Sequence, residues 1–277
     1  MKRCFKSISI LFFALILTEK NGITASQQSS VGLTNFAFAS YLGNGFYTSS
    51  GQDVFVLQIP LKHTIRELSE NEAGIVLNLP LTLGIIDFDT LDIEDVPELS
   101  DITTLTFLPG IEYQYPVTPD WTLSPFFDYG FASDLTSTDN ILVMGIGIKS
   151  TYNLSLKKAR FILGNRFLYA REKSKVKDSD SDYSLIETGL RYRVDSDYVF
   201  GDSPLRSNVY YLNLYYPNNL IFLEQTENPI RVGVEHEVGI TISNIPDFLF
   251  FEKPQIGIGV RVGGEVKVYR LVFGAPF

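Results

Sequence analysis

The stretch "IRVGVEHEVGITIS", residues 230–243, alternates with a period of two. Val232, Val234, His236, Val238 and Ile240 fall on one face, and Glu235 and Glu237 fall on the other. Strict alternation marks a β-strand with two different surroundings. The question is which solvent meets each face. A soluble sandwich or small barrel hides the apolar face and wets the polar one. A membrane barrel does the reverse, with the apolar face in lipid and the polar face around a lumen.

Working outward, the same pattern recurs. In 54–65, Phe55, Leu57, Ile59 and Leu61 oppose Gln58, Lys62 and Thr64. In 74–85, Ile75 through Ile85 at every second position oppose Asn78, Thr82 and Gly84. The segment 102–115 sets Leu105, Phe107, Ile111, Tyr113 and Tyr115 against Thr104, Thr106, Glu112 and Gln114. In 121–131, Trp121, Leu123, Phe127, Tyr129 and Phe131 oppose Thr122, Ser124, Asp128 and Gly130. Further candidates are 140–151, 158–171, 183–195, 207–216, 219–226, 230–243, 254–263 and 265–277, for twelve strands in all.

Three features favour the membrane barrel. Aromatics gather near strand ends, at Tyr113, Tyr115, Trp121, Tyr129, Phe131, Phe167, Tyr169, Tyr210 and Tyr216, as interfacial girdles require. Segments of this length exceed the ~5–6 residues usual in soluble sheets and meet the ~9–11 that a tilted crossing needs. The polar faces carry both signs of charge: Glu112, Asp128, Arg160, Arg166, Glu187, Arg191, Arg193, Arg231, Glu235, Glu237 and Arg261. A narrow lumen lined by facing arginine and carboxylate rows suits them. Arg160, Arg166, Arg191, Arg193 and Arg231 are expected to pair with Glu112, Asp128, Glu187, Glu235 and Glu237. Such pairs either tune the pore or only stabilise the wall.

The start of the chain is a separate object. Lys2, Arg3 and Lys6 precede the 11-residue apolar run "SISILFFALIL" (7–17), and "ITAS" ends at Ser26. That is the pattern of a secretory signal peptide over residues 1–26. Its loss takes four positive side chains and one negative, moving the formal charge from −9 to −12. It also removes the one cysteine, Cys4, so the exported chain has no disulfide to rely on. An acidic chain lacks the basic face that nucleic acid requires. Nucleic acid is excluded as a partner.

The last segment, "YRLVFGAPF" (269–277), places Tyr269, Leu271, Phe273, Ala275 and Phe277 at alternate positions. It resembles the C-terminal signal of outer-membrane barrels, although Ala275 and Pro276 depart from the common pattern. The resemblance implies that Tyr269, Leu271, Phe273 and Phe277 are read by the barrel-assembly machinery. Twelve strands, that ending and "DWTLSPFFDYGFASD" (120–134), which is similar to a W-x-L-x-P-[FY] stretch, together resemble the translocator barrels of autotransporters. The family implies a short helix in the lumen before the first strand. Residues 33–45 have that layout, with Thr34 as a cap and "GNG" (43–45) as a stop; an extra strand or a periplasmic tail is the other reading. Fewer than thirty residues separate the expected cleavage site from the strand at 54, so the likeness is to solitary barrels without a passenger.

Other chemistry is weaker. His63 and His236 are the only histidines, and no serine stands in a context that pairs it with either. A lipid hydrolase and an anchor or adhesin stay as alternatives, and no catalytic residue is assigned. "KDSDSDY" (177–183) offers Asp178, Asp180 and Asp182 but lacks the glycine and glutamate of a calcium loop. No metal and no cofactor are expected. "GIGIK" (145–149) and "GIGVRVGG" (257–264) are lumen-side glycines rather than dinucleotide loops, because no helix follows either. The expectation is therefore an all-β, transmembrane antiparallel β-barrel of twelve strands in the outer membrane. Its signal peptide spans 1–26, an N-terminal segment with a lumen helix 27–53, and the barrel 54–277. Both termini lie on the periplasmic side, and the pore is narrow or plugged.

Overall fold

Prolines at positions 60, 80 and 109 interrupt three otherwise continuous alternating segments. Proline has no N–H to give a ladder, so the pairing breaks there while the period of two continues. In the computed structural model each segment is accordingly two collinear strands. The structure describes residues 40–41, 43–49, 52–86, 102–135, 140–156, 159–174, 180–200, 203–223, 230–245, 254–264 and 266–277. The signal peptide and the acidic segment 87–101 lie outside the described residues, as does most of the predicted helix.

Fifteen strands make twelve staves. The first is β1 (Gly45–Ser49), followed by β2 (Gln52–Ile59) with β3 (Lys62–Arg66), β4 (Gly74–Asn78) with β5 (Leu81–Ile86), and β6 (Ile102–Phe107) with β7 (Gly110–Thr118). Eight single strands complete the set: β8 (Trp121–Asp134), β9 (Asn140–Leu156), β10 (Ala159–Ser174), β11 (Asp180–Phe200), β12 (Ser203–Leu223), β13 (Ile230–Ser243), β14 (Ile256–Gly263) and β15 (Val266–Phe273). Every stave pairs antiparallel with its sequence neighbours, and β1 pairs with β15 in the register Gly45↔Arg270 to Ser49↔Val266. The sheet closes through β1 and β15, and among the described strands β3 pairs on one side only, with β4. The fold is an all-β, twelve-stave antiparallel barrel of the membrane-spanning kind.

Two expectations are corrected. The barrel begins at Gly45 and not at position 54, because "GFYTS" (45–49) forms the closing strand instead of belonging to the N-terminal segment. The segment 219–226 is no separate strand: its first residues continue 207–216 within β12. The count of twelve survives because these two errors cancel.

The outward face is apolar and bare, with Ile258 60%, Val238 57% and Phe131 53% exposed. In water such a surface is untenable for a monomer, whereas in hydrocarbon it is the matched one. The lumen, by contrast, is not the water-lined channel that the polar faces suggest. Val143, Leu168, Leu185, Leu212, Leu214 and Val268 fill it beside the charges, all buried. Tyr210 and Tyr216, expected in an aromatic girdle, are buried in the lumen as well. In "SNVYYLNLYY" (207–216) both faces are apolar or aromatic, so hydropathy cannot choose between them.

Candidate functional site: the charged lumen

Inward side chains of β12 to β15 meet around Glu237. The Arg261 Nε donates to Glu237 Oε2 at 2.7 Å, and Arg261 Nη1 lies 3.7 Å from Glu235 Oε2. Arg270 Nε stands 3.6 Å from Glu237 Oε1. The Tyr210 hydroxyl donates to Glu237 Oε1 at 2.8 Å and the Tyr216 hydroxyl to Glu235 Oε2 at 2.9 Å. Both glutamates and Arg261 are at most 2% exposed. Charges so deep persist only when paired and hydrogen-bonded. Two arginines and two glutamates balance here.

A second set lies on β7 to β11. Lys149 Nζ binds Glu112 Oε2 at 2.6 Å, and Gln114 Nε2 donates to the other Glu112 oxygen at 2.9 Å. Arg166 Nη2 binds Glu187 Oε2 at 2.8 Å. Asp128 pairs with no arginine among the described residues; it accepts from the Tyr41 hydroxyl at 2.7 Å. Ser40 and Tyr41 are helical and lie just before β1, and the Ser40 carbonyl accepts from Gln58 Nε2 at 2.8 Å. A Cβ at Gly145 would overlap the Tyr41 hydroxyl. Ser40 and Tyr41 therefore lie inside the barrel. Residues 33–39 and 42 of the expected helix are outside the described residues.

A third set has no carboxylate among the described residues that line it. Arg160, Arg191, Arg193 and Arg206 converge on a cavity of about 210 Å³ near the end of the barrel where β9 passes to β10 and β11 to β12. Arg160 and Arg193 are direct cross-strand partners. The pairing expected for Arg160 and Arg191 with lumen carboxylates is thus corrected: Glu187 is taken by Arg166, and Glu235 and Glu237 by Arg261 and Arg270. The side chain of Arg231 is outside the described residues. Arg270 was invisible to alternation alone. The inward face of β15 is Val266, Val268, Arg270 and Val272, as apolar as its outward one.

Phe277 departs from the pattern of the last strand. Tyr269 and Phe273 point outward and are exposed, but β15 ends at Phe273. Gly274 follows at φ +90°, a left-handed turn that favours glycine. The Phe277 ring then lies in the lumen on the directly paired Gly164 and Gly189, where a Cβ at either would overlap it. Arg191 stands 5.8 Å from the ring centroid, within cation–π range.

The histidines face away from all of this. His63 is on β3, every residue of which is exposed. His236 points outward as its register requires; Tyr211 lies 2.8 Å and Asn213 Nδ2 3.3 Å from its Nδ1. These belong to a row of outward polar side chains on five neighbouring staves, Ser150, Asn165, Thr188, Asn213 and His236, each opposite the next. Asp180 engages Arg171, and no group of three metal-ligating side chains occurs among the described residues.

No family model matches the chain, and no curated protein matches it. Among solved structures it is similar to the transport unit of the autotransporter AIDA-I from Escherichia coli, at 10% identity over 84% of this chain and 88% of that one, with a TM-score of 0.44.

Proposed function

We propose that the protein is an outer-membrane barrel of the autotransporter type whose lumen is shut to free solutes. The observation that carries this reading is Tyr41, which lies just before β1 and yet is hydrogen-bonded to the lumen carboxylate of Asp128. Ser40 and Tyr41 thus occupy part of the bore. The buried apolar side chains and the Glu235–Arg261–Glu237–Arg270 set narrow that bore further. Lipid covers the apolar outer wall, and the alternate apolar positions Tyr269, Leu271 and Phe273 are the part of the ending offered to an assembly machinery. In this reading the barrel is not an enzyme: both histidines stand on exposed positions, and Tyr211 and Asn213 flank His236.

Planar-bilayer conductance tests the proposal. The refolded full chain is expected to give flat traces, and removal of residues 27–42 a discrete rise in current. A large, steady current through the unaltered barrel overturns the occlusion. A shortened barrel as silent as the full chain overturns the role given to the segment before β1.

A further inference from the structure

The residues after β15 do not run on along the wall. Gly274 turns at φ +90°, and a Cβ there would meet nothing, so the turn and not crowding selects its glycine. Its N–H donates to the Gln255 carbonyl at 2.7 Å, which fixes the bend just ahead of β14. Pro276 is buried, and the Phe277 ring rests on β11 and β10, four and five staves from the strand it leaves. Residues 274–277 therefore reach across the interior. The seat for the ring is shaped to it. Gly164 and Gly189 are direct partners on the inward face, and the three atoms nearest a Cβ at Gly164 all belong to Phe277. Arg166 and Glu187 stand on one side of this notch and Arg191 on the other, and Leu212 borders it at Gly189.

We propose that residues 274–277 are a latch that closes the bore a second time, with the Phe277 ring as its catch in the Gly164–Gly189 notch. The inference rests on the reading of a shut lumen and adds a closure independent of Ser40 and Tyr41. The two are seated at different depths. Gly145, under the Tyr41 hydroxyl, pairs with Ala170. Gly164 is six residues from Ala170 along β10, about 20 Å at ~3.3 Å per residue. The ring is held by packing and by the Arg191 guanidinium 5.8 Å from its centroid. Lifting it breaks no rung of the sheet, because β15 has already ended at Phe273. The latch thus opens while the barrel stays intact. Resistances in series add, so once the segment before β1 is gone the seated ring limits the current that remains.

Planar-bilayer conductance of the refolded chain, with and without residues 27–42, tests the latch. In the shortened barrel Phe277→Ser and Gly164→Val are each expected to raise the current about twofold or more, since conduction follows the narrowest cross-section. Phe277→Ser removes the catch, whereas Gly164→Val fills the notch and leaves residues 274–277 unaltered, so a rise in both assigns the effect to the seat. Ile258→Ala, on the outer wall, is expected to leave the current unchanged. Heat-modifiable gel migration verifies that each variant folds. A shortened barrel whose current does not rise with both substitutions overturns the latch, whether or not the full chain conducts. A large, steady current through the unaltered full chain overturns the shut lumen instead, and the latch then stands only if both substitutions still raise that current.

Discussion

The lumen holds two clusters of charge built on opposite rules. Around Glu237 two arginines meet two carboxylates and two tyrosine hydroxyls, and Arg261, Glu235 and Glu237 are almost wholly hidden. Around Arg191 four arginines share a hollow with no carboxylate among its described lining residues. The first arrangement satisfies its own members, so it has nothing left to offer a ligand. The second lies where Arg160 and Arg206 are exposed. Burial and pairing thus separate the part of the bore that holds the wall together from the part that water screens.

The largest effect that can break this contrast is expected at Glu237. Glu237→Gln keeps the size of the side chain but takes the nearest carboxylate from Arg261 and Arg270. Removing one partner of a buried pair costs about 3–5 kcal/mol, because the remaining charge is stranded. Urea unfolding of the barrel in vesicles should show a loss of that size. A loss below about 1 kcal/mol, the range of an exposed ion pair, would mean that water reaches the cluster and that its pairing matters little.

The same kind of change in the cavity should matter far less. Arg160→Gln removes a charge that is exposed. Urea unfolding is expected to shift by no more than about 1 kcal/mol in either direction, the range of exposed charges. A loss of about 3 kcal/mol or more, the cost of breaking a buried pair, would show that Arg160 is held as Glu237 is, and the two clusters would then follow one rule.

The faces of the staves were legible in the sequence wherever only one of them is apolar. Glu112, Asp128, Glu187, Glu235 and Glu237 all point inward as alternation requires, and His236 points outward with its neighbours. Legibility failed where both faces are apolar. In β12 the pattern could not tell the buried Tyr210 and Tyr216 from the outward Tyr211 and Tyr215. In β15 it missed Arg270 as a lumen charge, since valines surround it. Which charges meet was less legible than where they point. Pairing depends on the register between staves, so Arg166 found Glu187 while Arg160 stands between Ser155 and Arg193. Phe277 escaped for a different reason: period-two counting assumes that the strand continues, and Gly274 ends it.

The smallest expected effect carries the comparison to the outer wall. There polar groups without charge are satisfied among themselves: Thr188 Oγ1 donates to Asn165 Oδ1 at 3.1 Å, and the Trp121 indole donates to Ser150 Oγ at 2.9 Å. Asn213 approaches His236, yet Tyr211 also reaches the same ring nitrogen, so the ring keeps a partner if Asn213 is lost. Asn213→Leu therefore trades an amide facing hydrocarbon for a side chain matched to it, with a gain expected of about 1 kcal/mol. Unfolding in lipid vesicles measures it, and the gain should shrink in detergent, where water reaches the wall more freely. A loss of stability instead would show that Ser150, Asn165, Thr188, Asn213 and His236 act as one connected ladder. Removing a member would then strand its neighbours, as it does at Glu237, and neutral polar groups in lipid would obey the rule of the paired cluster.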